Sequence, residues 1–219
     1  MKRTTKKFAV LTFDIVDSRK FDSEKLLDVL HRCVDDVNEK FASSLLKPLR
    51  IILGDTLQCV CRRNRSAYDI FQWIEELLWL EGYSEFGRAV MVRCGIGIGR
   101  INDCSADFDE MNGDAFRFAS KALESLSNER TTSSVAIVVR NERFRQLLTS
   151  SFGVVESLKS TWDNRTREIV LFSRDAKSQI QVANKMGISR VDVKDTLDRA
   201  GFKKLRRFEK TISRILATL

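Results

Sequence analysis

The stretch Phe8-Ala-Val-Leu-Thr-Phe-Asp-Ile-Val-Asp-Ser-Arg19 opens the folded part of the chain and determines how the rest is interpreted. Its first six residues are apolar or Thr, which predicts a buried strand over 8–15. The strand then ends in two carboxylates, Asp14 and Asp17. Carboxylates that lie close together repel each other unless a cation lies between them, so this acidic end calls for a chemical explanation.

A second acidic turn lies within residues 49–61, which read LRIILGDTLQCVC. Gly54-Asp55 separates two strand-like runs and predicts a hairpin between strands 49–54 and 56–62. If these strands neighbour the first strand, Asp14 and Asp55 converge. Hard oxygen ligands with open positions suit Mg²⁺ (or Mn²⁺) bound together with phosphates, and the backbone carbonyl of Ile15 adds a further ligand.

The residues after Asp14 favour phosphate binding. Ser18 and Arg19 precede a helix, whose free N–H groups and positive dipole end can receive a phosphate. Asp17 is interpreted as a helix cap rather than a metal ligand.

Hydrophobic periodicity organises the remainder of the chain into alternating strands and helices. Besides the three strands above, the pattern predicts helices 23–42, 67–81, 114–127 and 141–150, and strands 89–98, 134–139 and 153–159. Such alternation implies an α/β or α+β sandwich. From residue 160 onward the pattern is helical throughout, which predicts two domains, 1–159 and 160–219.

Three glycines, Gly95, Gly97 and Gly99, fall on one face of strand 89–98. Their missing side chains allow something to approach the backbone closely, either a helix of the same domain or a nucleotide. We favour helix packing.

Charge is unevenly distributed along the 219 residues, whose net charge is +8. Residues 160–219 hold 14 Lys and Arg against 7 Asp and Glu, whereas residues 1–159 hold 24 against 23. A basic terminal quarter on a nearly neutral body suggests a module that binds a polyanion. No apolar run is long enough to span a membrane, and no signal peptide pattern is present, so we expect a cytoplasmic protein without a membrane partner.

Four short motifs follow one another along the chain: FDIVDS at 13–18, ILGD at 52–55, VRCGIGIG at 92–99 and NGDAFRFASKAL at 112–123. Together they resemble the class III nucleotide cyclase and related palm-like catalytic domains. The chain as a whole resembles still more closely the SatD family of bacterial proteins, which join such a domain to a helix-turn-helix. The resemblance implies an α+β fold of the ferredoxin-like (βαββαβ) type with a small all-α domain, two metal ions held by Asp14 and Asp55, and a homodimer.

The sequence departs from active cyclases at the positions that carry catalysis. In those enzymes an Asn and an Arg on the helix after the glycine motif position the ribose and stabilise the transition state. The corresponding residues here are Arg117 and Lys121, and Ile51 takes the place of a base-recognising Lys. Lys121 keeps a positive charge without the planar fork of Arg. Metal and phosphate handling therefore look retained, whereas base recognition and cyclisation look altered.

Residues 179–200, QIQVANKMGISRVDVKDTLDRA, resemble a bacterial helix-turn-helix. Ala183 lets two helices approach, Gly187 turns the chain sharply, and Ser189 caps the second helix. In such a unit the second helix enters the major groove of DNA. The predicted DNA contacts are Ser189, Arg190, Lys185 and Lys194, with Arg190 reading guanine and the two lysines touching phosphate.

Helices about 162–173 and about 203–218 complete this unit, and the apolar stripe of the last helix packs on its own core or pairs with a second chain. Three functional hypotheses remain open at this stage. The favoured one is a DNA-binding regulator whose cyclase-like domain senses a metal-bound nucleotide. The second is an active, divergent nucleotidyl cyclase or nucleotidyltransferase. The third is a degenerate cyclase-like domain that serves only to dimerise the DNA-binding part.

Overall fold

The computed structural model describes residues 6–128, 134–139 and 142–219. The strands are β1 (Phe8–Ile15), β2 (Leu45–Leu53), β3 (Thr56–Cys61), β4 (Val92–Gly99) and β5 (Val135–Val138). The helices are α1 (Ser23–Phe41), α2 (Ala67–Phe86), α3 (Asp114–Asn128), α4 (Glu142–Lys159), α5 (Asn164–Asp175), α6 (Gln179–Met186), α7 (Arg190–Arg199) and α8 (Phe202–Ala217). None of the helices in these ranges is long and apolar enough to cross a membrane.

The strands form one sheet in the order β2-β3-β1-β4-β5. The first four are antiparallel neighbours, with Phe13 opposite Leu57 of β3 and opposite Cys94 of β4. Helix α1 connects β1 to β2, and α2 connects β3 to β4, which confirms the predicted α+β fold with βαββαβ order. Strand β5 extends the sheet by pairing parallel to β4.

The two faces of the sheet carry different helices. Leu11, Phe13 and Ile15 point into the main core with the buried residues of α1 and α2. Phe8 and Val10, which alternate with them, join a smaller core with Ala115 and Ala119 of α3. We call this second side of the sheet the α3 face.

Helix α3 approaches β4 so closely that no side chain fits between them. A Cβ atom built on Gly97 would lie 2.1 Å from the carbonyl oxygen of Ala115, and one on Gly95 would lie 2.1 Å from that of Ala119. At Gly99 the nearest atom would be the backbone nitrogen of Ala115, at 2.7 Å. The interpretation of these glycines as a helix-packing surface is confirmed.

One predicted strand is wrong. Residues 153–159 form the second half of α4, which runs without a break from Glu142 to Lys159; residue 141 of the predicted helix 141–150 lies outside the described residues. Leu148, Phe152, Val155 and Lys159 are all buried. Their spacing of four, three and four residues is that of one helical face, and it outweighs the strand preference of two adjacent valines.

Two other elements are longer than predicted. Helix α2 continues to Phe86 and ends at Gly87, whose φ of 67° closes the helix in a left-handed cap. Strand β2 begins at Leu45, which pairs with Cys61 of β3. The side chain of Asn38 on α1 bonds both the N–H and the carbonyl of Leu49, next to Pro48.

The C-terminal helices have a core of their own and also contribute to the main one. Helices α5, α6 and α7 enclose a cluster that includes Trp162, Val170, Val182 and Val193. Leu171 of α5 and two residues of α8 belong instead to the main core, beside α2. The division at residue 160 remains a prediction.

A buried ion cluster joins α2 to α4 and α5. The Lys159 side chain is 1% exposed and pairs with Glu75 and with Glu76, whose Oε1 lies 2.9 Å from the Lys159 ammonium. Glu76 Oε2 lies 3.2 Å from Arg167 Nη1, and the guanidinium of Arg167 lies 3.6 Å from the ring centroid of Trp79. Burial disfavours the charged form of Lys159, but the neighbouring carboxylates outweigh it and hold the pKa of Lys159 above its ordinary value.

Glu156 is a further carboxyl group of this cluster. Burial, reinforced by the charge of Glu75, raises the pKa of Glu156 to about 8. The hydroxyl oxygen of Ser134 lies 2.9 Å from Glu75 Oε1 and 2.7 Å from Glu156 Oε1, at hydrogen-bonding distance from both carboxyl groups.

Substituting Gly97 by Val should destabilise the fold strongly, since the added carbon atoms meet helix backbone that has no room to move. Overpacking of this kind costs about 1–3 kcal/mol, and we expect the upper end. Ile98→Val in the same strand is the control, with an expected cost of about 0.5–1.5 kcal/mol. Urea denaturation monitored by circular dichroism measures both; equal costs would contradict the close packing of α3.

Glu156→Gln should change how stability depends on pH. The folded state keeps the Glu156 proton up to about pH 8, whereas the unfolded chain releases it near the ordinary pKa of 4.5. The contribution of Glu156 to the free energy of unfolding is therefore lost as the pH rises from 4.5 to about 8. Gln has no proton to lose. The free energy of unfolding of the variant, relative to the unmodified protein, should therefore rise with pH. Urea titrations across this pH range measure the difference, and the exposed Glu124→Gln is the control. If the difference in unfolding free energy between Glu156→Gln and the unmodified protein did not change with pH, Glu156 would have an ordinary pKa.

Candidate functional site

Asp14 lies at the end of β1 and is held by a neighbouring strand. Its partner across the β1–β4 pair is Arg93, whose Nη2 donates to Asp14 Oδ2 at 2.5 Å. Both side chains are about 30% exposed. Asp14 alternates with Phe13 and Ile15, which point into the main core, so its carboxylate is on the α3 face.

The hairpin between β2 and β3 places Asp55 at the same end of the sheet. Leu53 pairs with Thr56, and Gly54, with a φ of 59°, makes the turn together with Asp55. Continuing the β1–β3 register beyond Phe13 and Leu57 brings the end of β1 beside this turn. The strands of Asp14 and Asp55 are therefore neighbours, as the sequence suggested.

Asp55 borders a cavity of about 340 Å³. Its lining comprises Ser18, Arg19, Ser23, Leu26, Leu27, Leu30, Gly54 and Asp55. The structure thus brings three predicted site residues together, Ser18, Arg19 and Asp55. Asp14 is not part of this lining, and Ile15, 2% exposed, directs its side chain into the core.

The start of α1 is already capped by the chain itself. Asp22 is the capping residue, and its Oδ1 accepts a hydrogen bond from the N–H of Lys25 at 3.0 Å. Asp17 makes no capping hydrogen bond, contrary to its interpretation; a hydrogen bond from Lys20 instead lowers the pKa of Asp17. A phosphate in the cavity would therefore depend on Arg19 and Ser18 rather than on the N–H groups of α1.

Sequence reasoning missed a polar row on the α3 face. Arg50, Gln58 and Thr12 lie across β2, β3 and β1, each opposite the next in register. Gln58 Nε2 donates to Thr12 Oγ1 at 2.9 Å. Arg50 pairs with Asp109, and its guanidinium lies 4.0 Å from the ring centroid of Phe108. The available signal was that Thr12 and Gln58 are polar residues flanked on both sides by apolar ones in their strands.

The two residues at the cyclase-type catalytic positions lie elsewhere. Arg117 pairs with Asp114 and has 76% of its side chain exposed; Lys121 is exposed one turn further along α3. The contacts of Gly97 with Ala115 and Ala119 place Arg117 level with Gly97. Arg93 is four residues away along β4, about 13 Å. Within one chain, then, Arg117 does not join Asp14.

The predicted DNA contacts surround the turn between α6 and α7. Gly187 has a φ of 63°, and Ser189 and Asp192 form a reciprocal capping box. The ammonium of Lys185 lies 3.6 Å from the ring centroid of Phe172. Arg190 is exposed.

Lys194 is partly neutralised on the surface of α7. Its ammonium lies 3.1 Å from Asp198 and 3.6 Å from Asp195, and the hydrogen bond with Asp198 raises the pKa of Lys194. A surface hollow of about 690 Å³ beside α7 is mainly acidic. Its charged lining residues are Asp163, Arg165, Asp192, Asp195, Asp198 and Arg199.

Comparison with known proteins identifies the family. The SatD family matches residues 8–216, nearly the whole chain, and the chain belongs to that family. No curated protein matches it.

Several solved structures of nucleotide cyclases resemble part of the fold. The dimeric guanylyl cyclase domain of the RhoGC fusion protein from the aquatic fungus Blastocladiella emersonii is 14% identical, with a TM-score of 0.42 over 54% of this chain and 74% of that one. A bacterial light-regulated adenylyl cyclase is 13% identical, with a TM-score of 0.47 over 63% and 44%. An adenylate/guanylate cyclase/hydrolase from Silicibacter pomeroyi is 17% identical, with a TM-score of 0.42 over 55% and 70%. Similarity this low carries no inference about activity.

Proposed function

We propose that this protein is a cytoplasmic regulator that binds a nucleoside triphosphate together with Mg²⁺ (or Mn²⁺) and binds DNA through α6 and α7. The observation that carries the first half is the cavity that brings Arg19, Ser18 and Asp55 together. A guanidinium and a hydroxyl suit phosphate oxygens. The cavity volume of about 340 Å³ falls within the range of small-molecule sites.

The donor chemistry fits a metal that arrives with phosphate. In the described part of the chain, no group of three or more His, Cys, Asp or Glu side chains is placed to hold a metal ion. Two carboxylates at one end of a sheet nevertheless match Mg²⁺, which commonly binds one or two carboxylates plus substrate phosphates. Asp55 would hold it in the cavity. Asp14, whose carboxylate is on the α3 face, would join Asp55 only after giving up its contact with Arg93 and turning toward the hairpin. A bound ion would supply charge neutralisation for the phosphates.

Regulation fits the site better than turnover does. Arg117 is remote from Asp14, and Arg93 already neutralises that carboxylate. A cyclase would need a second copy of the chain to supply Arg117 and Lys121 to the cavity. The proposal includes a homodimer but requires no reaction from it.

The second half of the proposal rests on the exposed start of α7. Arg190 and Val191 are both exposed there, with Val191 at 59%. An Arg side chain can read guanine in the major groove, and an apolar one can contact the methyl group of thymine. Ser189 holds the helix start with its capping box, and Lys185 flanks it.

Helix α1 offers a physical connection between the two halves. Leu26 and Leu30 line the cavity near its start, whereas Lys40 near its end pairs with Asp175 of α5. The helix of 19 residues spans about 28 Å. A shift of α1 on nucleotide binding would therefore reach the helices that hold α6 and α7.

Asp55→Asn should weaken Mg²⁺-dependent nucleotide binding by tenfold or more, because it removes a charged ligand from the cavity. Isothermal titration with each of the four nucleoside triphosphates, with and without Mg²⁺, measures this. Asp35→Asn, an exposed position further along α1, is the matched control. Chromatography of the same mixtures tests turnover, and a nucleotide product that Asp55→Asn abolishes would replace regulation by catalysis.

Arg190→Ala should lower the affinity for the protein's preferred DNA sequence by about 1–3 kcal/mol and relax the preference at one base pair. Selection from a random duplex pool, followed by fluorescence anisotropy, supplies the sequence and the affinity. Arg143→Ala, exposed on α4, controls for the loss of charge. If both variants select the same sequence as the unmodified protein with equal affinity, α7 does not read bases.

A further inference from the structure

A basic pocket lies at the end of the sheet opposite to Asp14 and Asp55. It has a volume of about 500 Å³ and is bounded by the start of β1, the segment after β3 and the end of α8. Its cationic lining residues are Lys6, Lys7, Arg62, Arg63 and Arg65, all of them exposed. Among the residues that the structure describes, no Asp or Glu side chain lines it, and Asn64, Ala217, Thr218 and Leu219 complete the wall.

Helix α8 carries a basic ridge that leads to this pocket. The ridge consists of Lys203, Arg207, Lys210 and Arg214, which are exposed and spaced by four, three and four residues. That spacing places them on one face of the helix. Leu205, Ile212 and Leu216 are buried on the other side, and the C-terminal end of α8 borders the pocket.

The nine side chains of the pocket and the ridge are all exposed cations. None of them forms an ion pair with a residue that the structure describes, in contrast to Lys194, Arg93 and Arg50. The surface of α7 presents Asp192, Asp195 and Asp198 beside its own cations. The pocket and the ridge are therefore positively charged surfaces that lie apart from α7, the helix that the sequence predicts to read DNA.

We propose that the basic pocket and the basic ridge together bind the sugar-phosphate backbone of duplex DNA, without reading its sequence. The inference does not depend on α7 contacting bases. The ridge extends about 17 Å, at 1.5 Å per helical residue. At about 3.4 Å of duplex axis per base pair, this length corresponds to about five base pairs. A single nucleotide would leave most of these cations unpaired.

The described residues of the pocket and the ridge do not include the exposed aromatic side chains that bind single-stranded nucleic acid. Proteins that bind single-stranded nucleic acid without sequence preference stack its bases on exposed aromatic rings. In the described part of the chain, Tyr83 is the exposed aromatic residue, and it lies near the C-terminal end of α2. The pocket adjoins the opposite, N-terminal end of that helix. Phosphate contacts alone suit a duplex, whose bases are paired and stacked already.

The test is the salt dependence of binding, measured with the full chain and a fluorescent duplex of random sequence. The logarithm of the binding constant falls with the logarithm of salt concentration by about 0.9 for each phosphate neutralised. Arg63→Gln/Arg65→Gln in the pocket and Lys210→Gln/Arg214→Gln on the ridge should each reduce the slope by about 2, and the combined variant by about 4. Lys25→Gln/Arg143→Gln removes the same charge elsewhere and should leave the slope unchanged.

The outcomes separate this proposal from that for α7. A reduced slope in the pocket and ridge variants, with Arg190→Ala unchanged, supports the basic surface even if α7 reads nothing. Slopes that fall equally in the control variant, or no binding by the unmodified protein, overturn it. Tighter binding to single-stranded DNA, to inorganic triphosphate or to vesicles of anionic phospholipid than to the duplex would also overturn it. Circular dichroism of each variant confirms that the fold is intact.

Discussion

The placement of the C-terminal helices depends on the buried contact between Lys159 and the two adjacent carboxylates of α2. Lys159 is the last residue of α4, and Glu76 in turn binds Arg167 on α5, so one cluster holds three helices in register. A buried charge is costly unless it is paired, and removing one partner typically costs about 3–5 kcal/mol. The cluster therefore fixes where α5 to α8 stand relative to the sheet. Hydrophobic contacts alone, being non-directional, would specify that placement less sharply.

Much of the first half of the fold could be predicted from local pattern. Alternating apolar runs and the Gly54-Asp55 turn predicted β1, β2 and β3. The order of the four motifs implied the cyclase-like βαββαβ arrangement, and the chain as a whole, with its C-terminal part, implied the SatD family. The failure at 153–159 has a physical cause. Val154 is exposed and Val155 is buried, which imitates a strand over a short window. Only the longer spacing from Leu148 to Lys159 reveals the helix.

The candidate site was less accessible to sequence reasoning, because it depends on which face a side chain occupies. Neighbouring strands for Asp14 and Asp55 were predictable from the turn. That Asp14 faces α3, and that Arg93 binds it, follows from strand pairing between residues far apart in the chain. The same holds for the row formed by Arg50, Gln58 and Thr12. Net charge indicated a polyanion partner. Which cations are neutralised by ion pairs and which remain exposed is visible only in the three-dimensional structure.

The glycine face of β4 has a further consequence for how the chain folds. A strand displaced by one residue exposes its other face to the same neighbour. In β4 that displacement would turn the branched side chains of Ile96 and Ile98 toward α3, where even one methyl group has no space. The misaligned sheet could not close against the helix. The glycines thus select the correct register of β4 during folding, since only that register allows α3 to pack against the strand.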